Sequence, residues 1–239
     1  MDNLKEILEK AKSAFDAKDY QTAFEIWKSL AEHGNAEAQF NLGRMYSYGR
    51  GVKENHKKAI RWYQLAAEQG NAEAQFNCGL MNHNGLGVKQ DHKEAVMWYQ
   101  LAAEQGNAEA QIILGRMYAN GRGVSQDYNE AVKWYQLAGE QGNAEAQINL
   151  GRMYANGRGV PQDYKEAVKW WELAGEQGNA EAQINLDLLL KETENAEAQN
   201  NLDLLLEKKG DSAAQSILDL LLKKKDFWKR VKGIFGQSN

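Results

Sequence analysis

The sequence predicts an all-α protein, an α-solenoid of antiparallel helical hairpins. Three observations predict this fold: a strict 36-residue repeat, apolar residues at helical spacing, and glycine-rich turns between the helical stretches. The motif Ala-Glu-Ala-Gln begins at positions 36, 72, 108 and 144. A repeat of this length cannot bury its own apolar face, so the copies must stack into one elongated domain. Such arrays bind partners far more often than they catalyse reactions.

The first element, residues 1–34, predicts a shorter hairpin. Its two helices are expected over 4–15 and 21–33, joined at Lys18-Asp19-Tyr20 without a double-glycine turn. The Lys and Glu residues of its first helix suit an end surface that faces water. We therefore expect this hairpin to cap the first end of the array.

Four repeats follow over residues 35–178, and the block 107–142 illustrates them. Gly106 predicts a helix stop and Asn107 the N-cap of the next helix, called helix A. The buried stripe of helix A is expected at Ala110, Leu114, Met117 and Tyr118. Gly115 inside this helix costs about 1 kcal/mol relative to alanine, which indicates the close approach of a neighbouring helix.

The segment Asn-Gly-Arg-Gly-Val at 120–124 predicts the turn that ends helix A. A phosphate-binding glycine loop is the alternative, but such loops follow a strand and no strand pattern is present. Asp127 is the expected cap of the second helix, helix B. Its residues expected to pack against helix A are Ala131, Trp134, Tyr135 and Ala138.

After Gly178 the period shortens to 16 residues over 179–226, and only helix A is copied. The glycine is lost and leucines are gained, so we expect three short helices that form a C-terminal cap. Leucines left uncovered would favour a homo-oligomer. The basic amphipathic tail, 227–239, is expected to complete this cap; contact with an anionic membrane or a partner is the alternative.

Charge and composition exclude several classes of function. Six basic side chains and one acidic side chain in 223–239 leave a net charge of −9 on the first 222 residues. An acidic array opposes nucleic-acid binding, which needs clustered Lys and Arg. Cys78 is the only cysteine, so no internal disulfide forms, and a buried thiol acting as a small hydrophobe explains it best. The N-terminus lacks an apolar signal region, so a cytoplasmic location is expected.

Nothing in the sequence indicates an enzyme. The histidines are His33, His56, His83 and His92. They belong to no cluster with metal-ligand spacing, and no pair of nucleophile and base can be nominated. His56 and His92 occupy positions where later repeats carry Tyr128 and Tyr164, which favours packing over coordination. We therefore expect no catalytic residues, no metal and no cofactor.

Each full repeat combines Ala-x-Ala-x-x-x-Leu-Gly-x-x-Tyr, then Gly-x-Gly-Val, then Ala-x-x-Trp-Tyr-x-x-Ala, with local substitutions. This combination resembles the Sel1-like repeat family, a relative of the tetratricopeptide repeats. The resemblance implies a right-handed superhelix of antiparallel hairpins that serves as an adaptor for a partner protein or peptide. In the related tetratricopeptide arrays helix A lines the concave groove.

The helix A face opposite the buried stripe is therefore the predicted partner-binding surface. Its residues are Glu37, Phe40, Arg44 and Tyr48 in the first repeat; Glu73, Phe76, Leu80, His83 and Asn84 in the second; Glu109, Ile112, Arg116 and Asn120 in the third; and Glu145, Ile148, Arg152 and Asn156 in the fourth. Arginine beside apolar residues suits an extended peptide or helix that carries carboxylates. The alternative is a solvated ladder of Glu and Arg between neighbouring repeats.

The second repeat departs from its sisters. Leu80 and Leu86 replace arginines, and Met97 replaces a basic residue. An apolar patch of this kind is typical of an interface, and drift in a redundant repeat is the alternative. We expect Leu80, with Phe40, Phe76 and Tyr48, to form the apolar anchor of the groove. Two functions remain open: an adaptor, or an inhibitor or immunity-type protein that blocks a single toxin or effector.

Overall fold

The computed structural model describes residues 2–189 and Lys191. It divides into two units, Met1–Ala182 and Gln183–Asn239. The helices of the first unit are α1 Asp2–Asp16, α2 Tyr20–Glu32, α3 Ala36–Tyr48, α4 His56–Glu68, α5 Ala72–Asn84, α6 His92–Glu104, α7 Ala108–Asn120, α8 Tyr128–Glu140, α9 Ala144–Asn156 and α10 Tyr164–Glu176. In the second unit, the described residues 183–189 and Lys191 are helical.

The all-α solenoid of helical hairpins is confirmed for the described residues. Each helix packs against the next one along the chain, and α3, α5, α7 and α9 are the helices A of the four repeats. None of the described helices combines the length and apolar character that a membrane span needs. The predicted short helices after 189, the leucine-mediated oligomer and the basic tail at 227–239 lie outside the described residues.

Asparagine and glycine set the ends of helix A as the sequence predicts. Asn107 Oδ1 accepts a hydrogen bond from the backbone N–H of Ala110 at 2.9 Å. At the other end, Gly121 has φ +65°, a left-handed conformation, and its N–H donates to Met117 O. Asp127 caps helix B through the N–H groups of Asn129 and Glu130. These local bonds fix where each helix starts and stops.

The glycine inside helix A makes room for a ring. A Cβ atom on Gly115 would lie 2.5 Å from the Tyr135 ring of α8. The predicted close approach is therefore that of a helix B side chain, which lies against helix A at Gly115. The same arrangement pairs Gly43 with Tyr63, Gly79 with Tyr99, and Gly151 with Trp171.

The second glycine of each turn contacts the preceding repeat. Gly123 has φ +76°, and a Cβ atom there would overlap the carbonyl group of His92 at the start of α6. The equivalent glycines meet residues at the start of the helix immediately before their own hairpin: Gly51 meets Tyr20, Gly87 meets His56 and Gly159 meets Tyr128. This glycine is thus an inter-repeat contact as well as a turn residue.

A buried glutamine joins three helices at each repeat. Gln111 Nε2 of α7 donates to Ala103 O of α6 at 3.0 Å, and Gln141 Nε2 at the end of α8 donates to Gln111 Oε1 at 2.7 Å. Gln39, Gln75 and Gln147 make the same two bonds. We call this arrangement the glutamine staple. It gives a second hydrogen bond to a helix C-terminal carbonyl that already accepts the N–H of the following glycine, as Ala103 O accepts from Gly106 N at 2.9 Å.

Cys78 lies in the apolar core, where it packs with Ala74, Met81 and Tyr63. Burial raises the pKa of its thiol. The interpretation of this residue as a small hydrophobe agrees with its position, since an inaccessible, protonated thiol is a poor nucleophile.

Candidate partner-binding surface

Most of the predicted binding residues reach the surface of α3, α5, α7 and α9. The exposed members are Tyr48, Glu73, Asn84, Glu109, Arg116, Asn120, Glu145, Arg152 and Asn156. The half-buried members are Glu37, Phe40, Arg44, Phe76, Leu80 and His83. Ile112 and Ile148 are only 5% and 2% exposed.

Those two isoleucines support the surface instead of forming it. Ile112 packs with Ala138 of α8 and Ala146 of α9. The next repeat therefore covers Ile112. The periodicity of a single helix cannot predict this burial. The larger Phe40 and Phe76 at the equivalent positions remain half-buried beside Tyr63 and Tyr99 at centroid distances of 5.9 Å.

Ion pairs connect α1 to α3 and α7 to α9, near the two ends of the array. Lys12 of α1 lies 2.8 Å from Glu37 of α3, and Arg116 of α7 lies 3.2 Å from Glu145 of α9. Arg152 of α9 continues the series to Glu181 at 2.5 Å. The expected solvated ladder is therefore present at these places, and the guanidinium groups are held in position by it.

The ladder is interrupted between α3 and α7. Leu80 takes the arginine position, 29 residues before Glu109 as Arg116 is before Glu145, and it packs on the same apolar cluster as Phe76. One repeat earlier, the guanidinium of Arg44 lies 5.8 Å and 5.7 Å from the ring centroids of Phe15 and Phe40. We call Phe40, Phe76 and Leu80 the apolar section of the surface. Ion-paired positions flank it on both sides.

The side-chain amides at the end of helix A already make hydrogen bonds within their own helix. Asn84, Asn120 and Asn156 each donate a hydrogen bond to a carbonyl one turn back in their own helix, at 2.8–3.0 Å. All three side chains are exposed. They can therefore receive N–H groups from a partner but have one fewer donor to offer.

A pocket of about 250 Å³ lies between the second and third repeats. We call it the junction pocket; its lining residues are His83, Ile113, Arg116, Met117, Asn120 and Arg122. Three of these, His83, Arg116 and Asn120, were predicted as binding residues from the sequence. The pocket adds Arg122 from the glycine-rich turn, which the sequence had suggested only as a turn residue.

Burial lowers the pKa of His83, and the nearby charges of His92, Arg122 and Arg116 lower it further. The rings of His83 and His92 lie 4.8 Å apart, and the His83 Nδ1 atom is buried without a hydrogen-bond partner among the described residues. A lowered pKa leaves this imidazole neutral near pH 7. A neutral imidazole beside two arginines avoids a third positive charge at the pocket.

Comparison with known proteins identifies the repeat. The family model of the Sel1 repeat matches residues 16–35, 36–71, 72–107, 108–143 and 144–179, more than half of the chain. The protein belongs to the Sel1 repeat family. Sel1 repeat proteins are generally non-catalytic scaffolds that mediate protein–protein interactions.

Solved structures support this assignment. A Sel1 repeat protein from Oxalobacter formigenes is 37% identical, with a TM-score of 0.72 over 75% of this chain and 74% of that one. The protective antigen c5321 of uropathogenic Escherichia coli, which displays the same fold, is 38% identical with a TM-score of 0.70. This chain covers 37% of the E. coli protein and is covered over 73% of its own length.

A Sel1-like repeat protein of Acanthamoeba polyphaga mimivirus is 55% identical over 38 residues, 16% of this chain. The chain spans only 7% of that viral protein's length. This likeness therefore concerns about one Sel1 repeat.

One repeated feature of the Sel1 hairpin was missed by the sequence reasoning. Helix B carries an exposed leucine in every repeat, 37–45% accessible, at Leu65, Leu101, Leu137 and Leu173. The 36-residue spacing could have revealed this stripe, but the leucines resemble core residues in a helical pattern. Within residues 2–189 and Lys191, no cluster of His, Cys, Asp or Glu is arranged to hold a metal ion.

The Arg–Glu ladder should contribute little to the stability of the Sel1 array. We expect Arg116→Gln to lower the free energy of unfolding by less than about 1 kcal/mol, because both partners are half exposed. Urea unfolding in low salt measures the change, and high salt should reduce it further. A loss above about 2 kcal/mol would show that Arg116 has a packing role, since exposed ion pairs do not contribute so much.

Proposed function

We propose that the outward face of helices α3, α5, α7 and α9 binds a partner protein and that the protein acts as an adaptor. The observation that supports this most directly is the interruption of the ladder. Arg116 and Arg152 form ion pairs with glutamates of the following helix. Leu80, at the equivalent position of the second repeat, instead leaves an uncharged, half-buried surface beside Phe76. Apolar surface between charged positions is typical of an interface core with a polar rim.

The partner would place apolar side chains over the apolar section and carboxylates toward the flanking arginines. Arg44 is held over two rings, so its guanidinium is already oriented and loses little freedom on binding. The acidic charge of the array disfavours nucleic acid as the partner.

Capture of partners from a native lysate tests the proposal, with three chains compared at equal helicity. The first is wild type, the second carries Leu80→Arg, and the third carries Arg44, Arg116 and Arg152→Gln. Leu80→Arg installs the residue of the sister repeats, so it should preserve the fold and restore a positive charge opposite Glu109. Glutamine removes the arginine charge without placing two carboxylates together.

We expect a partner that wild type retains and Leu80→Arg loses by at least tenfold. Met97→Lys is the matched control, because it also restores the basic character of the sister repeats but on the 65% exposed Met97 of helix B. Equal recovery with wild type and Leu80→Arg would contradict the proposal. Recovery of several partners would favour the adaptor, and a single tightly held folded protein would favour the inhibitor role.

A further inference from the structure

The junction pocket has a charge opposite to that of the array. Two guanidinium groups, those of Arg116 and Arg122, line a space of about 250 Å³, and none of its lining residues is acidic. Arg116 is also held by Glu145 at 3.2 Å, which orients it while leaving donor N–H groups available. A cationic recess in an acidic protein is a selective site for a small anionic group.

His83 is a third group at the pocket that can respond to an anion, because its imidazole can take up a proton. Its ring faces His92 and Tyr99 of α6, Arg116 of α7 and Arg122 of the following turn. The Nδ1 atom is buried without a partner among the described residues. The neighbouring positive charges oppose protonation in the empty pocket, and a bound anion would offset them.

The other repeat junctions do not combine these groups. At the junction of the third and fourth repeats, Arg152 and Arg158 are present, but Ala119 stands in the position of His83. Arg158 there lies 5.8 Å from the ring centroid of Tyr128. At the junction of the first and second repeats, Leu80 and Leu86 replace both arginines. The junction pocket is therefore a local feature and not a property of every repeat.

We propose that the junction pocket binds a carboxylate side chain of an acidic peptide segment, and that His83 takes up a proton as the carboxylate enters. This inference rests on the proposed function, because the segment belongs to the partner that lies along helix A. Arg116 and Arg122 form hydrogen bonds to the carboxylate oxygens. The proton comes from solvent, and the imidazolium then adds a positive charge close to the bound anion.

Titration with small probes followed by NMR tests the pocket directly. The probes are N-acetyl-glutamate methylamide, its neutral glutamine analogue and inorganic phosphate, added to the full chain while the His83 ring and arginine Nε–H resonances are observed. We expect saturable shifts with the glutamate probe and none with glutamine. Affinity should rise as the pH falls from about 8 to about 6, because the bound state favours protonated His83.

Variants distinguish binding in the junction pocket from non-specific attraction of the probe to positive charge. Arg122→Ala should weaken binding of the glutamate probe at least tenfold. The matched Arg158→Ala, one repeat further on, should leave the affinity for the probe within twofold of wild type. His83→Ala installs the residue of the third repeat and should remove most of the pH dependence while retaining binding. Comparable circular dichroism spectra establish that each variant remains folded.

Equal shifts with the glutamine probe, or equal losses in the two arginine variants, would overturn the inference. Binding of phosphate without binding of the glutamate probe would overturn the assignment to a carboxylate. The titration needs no partner protein, so its result is independent of the capture experiment. A filled pocket with no captured partner would refute the proposed function alone, and a captured partner with an unresponsive pocket would refute this inference alone.

Discussion

Gly123→Ala is expected to lower the free energy of unfolding by about 3 kcal/mol or more. Two costs combine at this position: the left-handed backbone, φ +76°, and the overlap of the new Cβ atom with the carbonyl of His92. Left-handed backbone at a non-glycine residue costs about 1–3 kcal/mol, and overpacking adds about 1–3 kcal/mol. The overlapping atoms belong to backbone, so a change of rotamer cannot relieve them.

Gly106→Ala is the matched control. Gly106 also has positive φ, +90°, but its missing Cβ points into open space. We expect this variant to bear only the backbone cost, so the two variants should differ by about 1–3 kcal/mol. Urea unfolding gives both values, and hydrogen exchange at the start of α6 locates the effect. Equal destabilisation of the two variants would contradict the inter-repeat role of Gly123.

Gln111→Glu is expected to destabilise the array by about 3 kcal/mol at neutral pH. The carboxylate loses the N–H that donates to Ala103 O and places negative charge beside that carbonyl. Gln111 is 3% exposed, so water cannot replace the lost bond. Removing one partner from a buried bond costs about 1–3 kcal/mol, and more when a charge is left behind.

The deficit of Gln111→Glu should shrink as the pH is lowered. Burial raises the pKa of the new carboxyl group above its usual value of about 4.3. The folded variant then binds a proton more tightly than the unfolded chain, so its stability relative to wild type falls as pH rises through that range. In the protonated form, the carboxyl O–H can again donate to Ala103 O.

Gln136→Glu is the control, since Gln136 is exposed on α8 and its Nε2 donates to Glu140 Oε1 at 2.9 Å. We expect a change within about 0.5 kcal/mol. Unfolding by urea at several pH values measures both variants. A pH-independent deficit at Gln111 would indicate lost packing instead of a lost hydrogen bond.

Local patterns in the sequence predicted the hairpins and their ends well. Asn107, Asp127 and Gly121 act on backbone groups within their own turn, so residue type and spacing contain the necessary information. The glutamine staple was not predicted, although its glutamine belongs to the repeated motif Ala-Glu-Ala-Gln. Its partners lie eight residues before and 30 residues after Gln111, and only the packed helices bring them together.

The candidate surface was predictable in part for the same reason. Helical spacing placed Arg116 and Leu80 on the outward face, but it could not show that α9 covers Ile112. For His92, the sequence predicts only a packing position that tyrosine occupies in the later repeats. Its position beside His83 follows from the antiparallel packing of α5 and α6, and the cationic character of the junction pocket follows from the packing of α7 and its turn beside His83.

The constant spacing of the glutamine staple has an evolutionary consequence. If residues 107–142 were deleted in frame, Gln147 would stand eight residues after Ala103, which is its present separation from Gly139, and would still accept from Gln177. Unequal recombination between repeats would therefore preserve both bonds at every new junction. The gene can lengthen or shorten the array by single hairpins, and the extent of surface offered to other molecules changes in equal steps without a new fold.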